Sequence, residues 1–145
     1  MRQVYPILVI DTKDDSEHPF LVCVPDLDIL TEGSDFADAI EMARDAIALS
    51  IVSMEDAKED IPVPSDASAA IKKAKQYDEV DFSNGLITYV DVDTTEYRRK
   101  IDNRTVRRNV ALPSWLNYEA EKSGINVSRI LQEALMNVLG VQKKI

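Results

Sequence analysis

Histidine and cysteine are almost missing from this 145-residue chain, which has one of each, His18 and Cys23. A lone cysteine excludes an intrachain disulfide, and the pair leaves a structural zinc site short of its preferred ligands. Glycine is scarce too, four in all, with no Gly-rich loop to cradle a phosphate. No run approaches the roughly 18 apolar residues that a membrane helix needs. The opening Met1 to Pro6 lacks the apolar region and cleavage site of a secretory signal. The expectation is a cytoplasmic protein with no membrane partner, no metal and no cofactor, in which the sequons at Asn103 and Asn126 are chance.

Positive charge is also in short supply, but only at one end. Residues 1 to 98 hold 8 Lys/Arg against 22 Asp/Glu, a net of −14, whereas residues 99 to 145 hold 9 against 4, a net of +5. The asymmetry points to a basic partner for the front and a polyanion for the tail. The length fits one ordinary domain or two small ones, and the charge step places a boundary near residue 98.

In the front part, Val4 to Ile10 and Phe20 to Val24 are short β-branched runs either side of a polar turn, which predicts a hairpin. Ile29-Leu30-Thr31 adds a short third strand. Ser34 or Asp35 can cap a helix on which Phe36, Ile40, Ala43, Ile47, Ile51 and Met54 recur at steps of three and four, while Asp38, Glu41, Asp45 and Asp56 face solvent. Ile61-Pro62-Val63-Pro64-Ser65 stops that helix and keeps the chain extended. A short helix over Ala67 to Lys75 and a strand over Leu86 to Val92 complete a ββ(β)αβ domain. Thr94 to Arg104 loses apolar residues and gains Arg98, Arg99, Lys100 and Arg104, the composition of a linker or arm.

The tail reads strand, helix, turn, helix. Val110 and Leu112 alternate with Asn109 and Ala111, Pro113 ends the strand, Gly124 stops the helix from Ser114, and Asn126 caps a second one over Val127 to Leu139. One strand and two short helices cannot bury their apolar faces alone, so a second copy is needed. Two such strands paired antiparallel turn Val110 and Leu112 inward and Arg107, Asn109 and Ala111 outward. The outward set suits the major groove, where Arg bonds guanine, Asn bonds adenine and Ala touches a thymine methyl. Backbone amides and a hydroxyl at Asn126, Val127 and Ser128 suit phosphate, as do Arg104 and Arg108.

Arg107-Arg108-Asn109-Val110-Ala111-Leu112-Pro113, Gly124-Ile125-Asn126-Val127-Ser128 and Leu131-Gln132-Glu133-Ala134-Leu135 resemble the ribbon-helix-helix DNA-binding family. The resemblance departs at Arg108, where the family usually carries an apolar, inward residue. Upstream, Val24-Pro25-Asp26-Leu27-Asp28, Thr31-Glu32-Gly33-Ser34-Asp35-Phe36-Ala37-Asp38-Ala39-Ile40 and Ile61-Pro62-Val63-Pro64-Ser65 resemble HicB antitoxins, with Val90 to Asp93 fitting the closing strand. That family often reads Pro-Gly-Cys where this chain has Asp28-Ile29-Leu30. The resemblance spans nearly the whole chain and implies an α+β protein. Its partial ribonuclease-H-like domain (residues 1–98) would mask a small HicA ribonuclease toxin, and its ribbon-helix-helix tail (residues 99–145) would dimerise through a two-stranded sheet and repress the shared operon. Candidate toxin contacts are Asp26, Asp28 and Glu32 in the turn, and Asp38, Glu41 and Asp45 on the helix. Dimer or tetramer is left open.

Two other functions fit parts of the sequence. A metal-dependent nuclease would draw carboxylates from Asp11, Asp91 and Asp93, and an acidic adaptor would use the tail only to dimerise. Asp91, Asp93, Thr95 and Asp102 match positions of a calcium loop, but Glu96 stands at the tight-turn position and Arg98, Arg99 and Lys100 lie inside it. His18 reads as a solvated turn residue and Cys23 as a small buried one, and Trp115 and Tyr118 read as packing residues. The expectation is not an enzyme.

Overall fold

Four apolar-rich strands assemble into one antiparallel sheet in a computed structural model that describes residues 1–142. They are β1 (Arg2–Asp11), β2 (Phe20–Val24), β3 (Ile29–Gly33) and β4 (Leu86–Asp93), in the spatial order β3-β2-β1-β4. β1 is one of two inner strands and has apolar cover on both faces, which is why Val4 to Ile10 reads as a continuous apolar run. Tyr5, Ile7 and Val9 point to one core, Leu8 and Ile10 to the other. Pro6 is tolerated inside this strand because β2 runs beside β1 only from Leu8 to Asp11. At position 6 only β4 is paired, so the missing N–H breaks no ladder bond on the open side.

The first core lies beneath α1 (Phe36–Ala57). Asp35 accepts a hydrogen bond from the Asp38 amide, and the Asp38 carboxylate accepts in return from the amide and hydroxyl of Ser34, so both ends of the cap are satisfied. The buried stripe is Ala39, Ala43, Ile47, Ala48 and Ile51, with Ile40 and Met54 at its margin. Phe36, expected to lead the stripe, is instead exposed. The closest approach belongs to Ala39, because Gly33 has no side chain there: a Cβ on Gly33 would fall 2.4 Å from the Ala39 nitrogen.

The second core is smaller and lies on the opposite face, where α2 (Ala67–Ala74) and the turn Phe82–Asn84 cover Leu8 and Cys23 with Ala70, Ala74 and Phe82. The proline segment between α1 and α2 is tied down at two points. Tyr5, buried in the first core, donates its hydroxyl to the Pro62 carbonyl at 2.6 Å. Ser65 is bonded to Asp26.

The expected linker from Thr94 is corrected. Thr94–Ile101 forms a helix, α3, whose first turn is capped by Asp93 through the amides of Thr95 and Glu96. Tyr97 packs against the first core, and Arg98 reaches the last turn of α1, 2.8 Å from Asp56 and 3.5 Å from the Val52 carbonyl. Composition concealed the helix because a short helix on a surface needs only one or two anchors. With α3 docked, the chain divides into compact units at Asn103/Arg104, past the boundary expected near residue 98.

The second unit carries α4 (Ser114–Ser123) and α5 (Val127–Leu139). Gly124 and Gly140 end them in the left-handed region, at φ 63° and 67°, where a side chain is strained. The Asn126 side chain caps α5 by accepting from the Arg129 amide at 3.1 Å. The order of elements bears out the α+β expectation, with β3 present as the third strand.

Candidate functional site

Five of the six acidic candidates on the front unit have side-chain partners of their own. Asp26 is the extreme case, with no exposed side-chain surface. Its carboxylate accepts from the Ser65 amide at 2.9 Å, from the Ser65 hydroxyl, and from the Lys73 ammonium at 2.7 Å. Burial pushes this carboxyl up, but the bonds from Lys73 and Ser65 together outweigh it and hold the group below the usual carboxylate range. Asp26 is thus an internal fastener, not a docking charge: it ties the turn after β2 to the chain entering α2.

The others are distributed over two surfaces. Asp28, in the left-handed region at φ 53°, accepts the Tyr77 hydroxyl at 2.6 Å, while Glu32 lies 3.9 Å from His18. Burial first, and then the bond to Asp28, pushes the Tyr77 phenol up to about 12. Asp38 serves the cap of α1 and Glu41 pairs with Arg44. Asp45 is exposed, beside a shallow cavity of about 170 Å³ between α1, β4 and α3 that Glu41, Glu96 and Lys100 also line. Arg44 joins α1 to the rim of the sheet, bonding the Asp91 carbonyl at 3.1 Å and its carboxylate at 3.3 Å. The Arg44 bond holds the Asp91 carboxyl below its ordinary value.

The carboxylates considered for nuclease chemistry do not converge. Asp11 is level with Phe20 at one end of β1, whereas Asp91 and Asp93 are level with Val4 and Arg2 at the other. At about 3.4 Å per residue the separation is roughly 20–30 Å, far beyond the roughly 4 Å of a two-metal site. The calcium-loop spacing is interrupted by α3, which begins at Thr94 with Asp93 as its cap. Among the described residues no cluster of three or more His, Cys, Asp or Glu could hold a metal. Cys23 is buried, and burial first, then the Asp28 charge, pushes its thiol up to about 12, so it is no nucleophile near neutral pH.

Sequence reasoning missed a third feature. A cavity of about 390 Å³ opens beside β3, lined by Leu21, Leu30, Tyr77, Val80 and Phe82 among others. Leu30 was read only as part of a strand, and the segment 76–82 carried no signal that it would fold back toward that strand.

In the second unit, residues 104–113 form no strand within a single chain. Arg107, Asn109 and Ala111 are exposed, as are Arg104 and Arg108. Val110 is 55% exposed, and Trp115, Leu135, Val138 and Leu139 range from 59% to 83%. Among the described residues of this unit, Ala120 is the one that is buried. Asn126 uses its side chain on the helix cap, so at the start of α5 the Val127 and Ser128 amides are the donors facing outward.

A solved toxin-antitoxin complex from Streptococcus pneumoniae contains a chain of similar fold (TM-score 0.57, 22% identity, covering 94% of this chain and 99% of that one). A crystal structure of the antitoxin HicB from Burkholderia pseudomallei covers 95% of this chain and 97% of its own, at 22% identity and a TM-score of 0.46. None of the curated proteins matches the chain. The class is defined by the family model of HicB-like antitoxins of bacterial toxin-antitoxin systems, which matches residues 5–134. The chain belongs to the HicB-like antitoxin family of bacterial toxin-antitoxin systems.

Proposed function

We propose that this protein neutralises a small HicA-type ribonuclease toxin through its acidic front unit and represses its own operon through its tail. The observation that carries the DNA half is the second unit, in which Ala120 is the one buried side chain among the described residues. Two helices with apolar faces as exposed as Leu135 and Val138, beside an extended segment with one-residue alternation, are stable only against a second copy. Antiparallel pairing of residues 107–112 from two chains buries Val110 and Leu112, and sets Arg107, Asn109 and Ala111 on the outer face of a ribbon of the width the major groove admits. The Val127 and Ser128 amides then hold phosphate, assisted by Arg104 and Arg108. The toxin half is supported by the family and by charge: a protein that grips RNA is basic, and a unit at net −14 attracts it and competes with the RNA. Neutralisation and repression are binding functions, so the chain acts without catalysis, in the cytoplasm, as a dimer or a dimer of dimers.

The test uses the full chain and the DNA upstream of its own gene. Asn109→Ala or Arg107→Ala should lose roughly 1–3 kcal/mol of affinity on that operator and little on unrelated DNA. Equal losses on both would show that these side chains do not read bases, and a wild-type chain that binds both DNAs alike would remove the repressor reading.

A further inference from the structure

The two edges of the sheet are treated differently. At β4 the edge is guarded, because Arg44 from α1 bonds both the carbonyl and the carboxylate of Asp91. At β3 no such tie is present among the described residues: Ile29–Gly33 contains no Lys and no Pro, and its one charge, Glu32, is acidic and so repels an acidic edge but attracts a basic one. An edge strand bonds its neighbour on one side only, so half of the β3 peptide groups point outward. Leu30 is 58% exposed and shares its face of the strand with Glu32, two positions on. Leu30 also forms the rim of the 390 Å³ cavity, whose floor is apolar (Leu21, Val80, Phe82) and whose charged lining residues, Asp78 and Glu79, are both acidic.

We infer that β3 is the docking edge for the toxin, which adds an edge strand of its own to the sheet. The incoming strand presents an apolar side chain to the Leu30 cavity, flanked by Lys or Arg facing Glu32 and the acidic lining residues Asp78 and Glu79. Main-chain bonds along β3 supply affinity, and the apolar Leu30 beside the acidic Glu32 supplies register and choice of partner. A second copy of this chain is the weaker occupant, since two such edges would bring the acidic Glu32, Asp78 and Glu79 of one against those of the other. The inference rests on the toxin-binding reading above and gives it a location.

The experiment uses the full chain and the purified toxin encoded with it. Leu30→Lys should weaken the complex by about thirtyfold or more, the loss of a central anchor. Leu49→Lys, the same change at a leucine exposed on α1, should leave it within about threefold, since it alters only the general field. In the wild-type complex the amides of Ile29–Gly33 should exchange more slowly than in the free chain, a readout independent of any variant. If both variants weaken binding equally, or if β3 exchange is unchanged in the complex, the docking edge lies elsewhere. If the wild-type chain fails to bind this toxin at all, the toxin-binding reading falls and the inference with it.

Discussion

Replacing Asp26 separates a structural carboxylate from a docking one. In Asp26→Ala the Ser65 amide and hydroxyl and the Lys73 ammonium lose their acceptor together. Hydrogen bonds to a charged group contribute about 1.5–3 kcal/mol each, but they are not additive. Lys73 is about half exposed and recovers solvent when released, so its share is small. The Ser65 amide is less free to do so, and an unsatisfied buried donor costs about 1–3 kcal/mol. The expected loss is about 2–4 kcal/mol, which at a urea slope of about 1.5 kcal/mol/M moves the unfolding midpoint of the front unit down by roughly 1.5–2.5 M. Asp26→Asn, of the same shape, should lose somewhat less. The effect also has a pH signature: because the folded carboxyl titrates below its unfolded value, its contribution is fully present above about pH 4 and disappears as pH falls through the folded value. Wild type and Asp26→Asn should therefore converge in strong acid. An unchanged urea midpoint, combined with lost toxin binding, would refute the structural assignment and return Asp26 to the partner surface.

Two further changes probe how the front unit is closed. Gly33→Ala forces a Cβ to within 2.6 Å of both the nitrogen and Cα of Ala39, backbone atoms that cannot step aside, and should cost about 3 kcal/mol; a midpoint equal to wild type would mean that α1 does not start where it is placed. Arg98→Ala removes the bonds from α3 to the end of α1. These groups are partly exposed, so the global loss should be about 0.5–1 kcal/mol, while amide exchange over Thr94–Ile101 accelerates clearly. Exchange there as fast in wild type as in the variant would restore the linker reading.

The elements of this protein were legible along the chain because their signals are local. Asp35 before the stripe, Asn126 before Val127, and Gly124 and Gly140 after the tail helices act within four residues, so the start of α1 and the limits of α4 and α5 follow from neighbours alone, whereas α1 ends at Ala57, before the Pro segment expected to stop it. The charge step near residue 98 was equally visible, since it needs only counting. Where local rules were too coarse, they misplaced Phe36 and concealed α3, whose anchoring by Tyr97 and Arg98 depends on α1 some forty residues earlier.

Side-chain fate was another matter. Asp26, Asp28, Glu32, Asp38, Glu41 and Asp45 are alike in sequence, each an acid in a turn or on a helix face. Asp26 became a buried fastener because Ser65 and Lys73 arrive from 39 and 47 positions away, and Asp28 met Tyr77 from 49. The separation of Asp11 from Asp93 came from strand register, and the Leu30 cavity from a segment folding back more than forty residues later. Caps and periodicity are set by bonds between near neighbours, and thus by sequence alone. Whether a given acid is exposed, paired or enclosed is set by distant segments brought together, which only the tertiary structure decides.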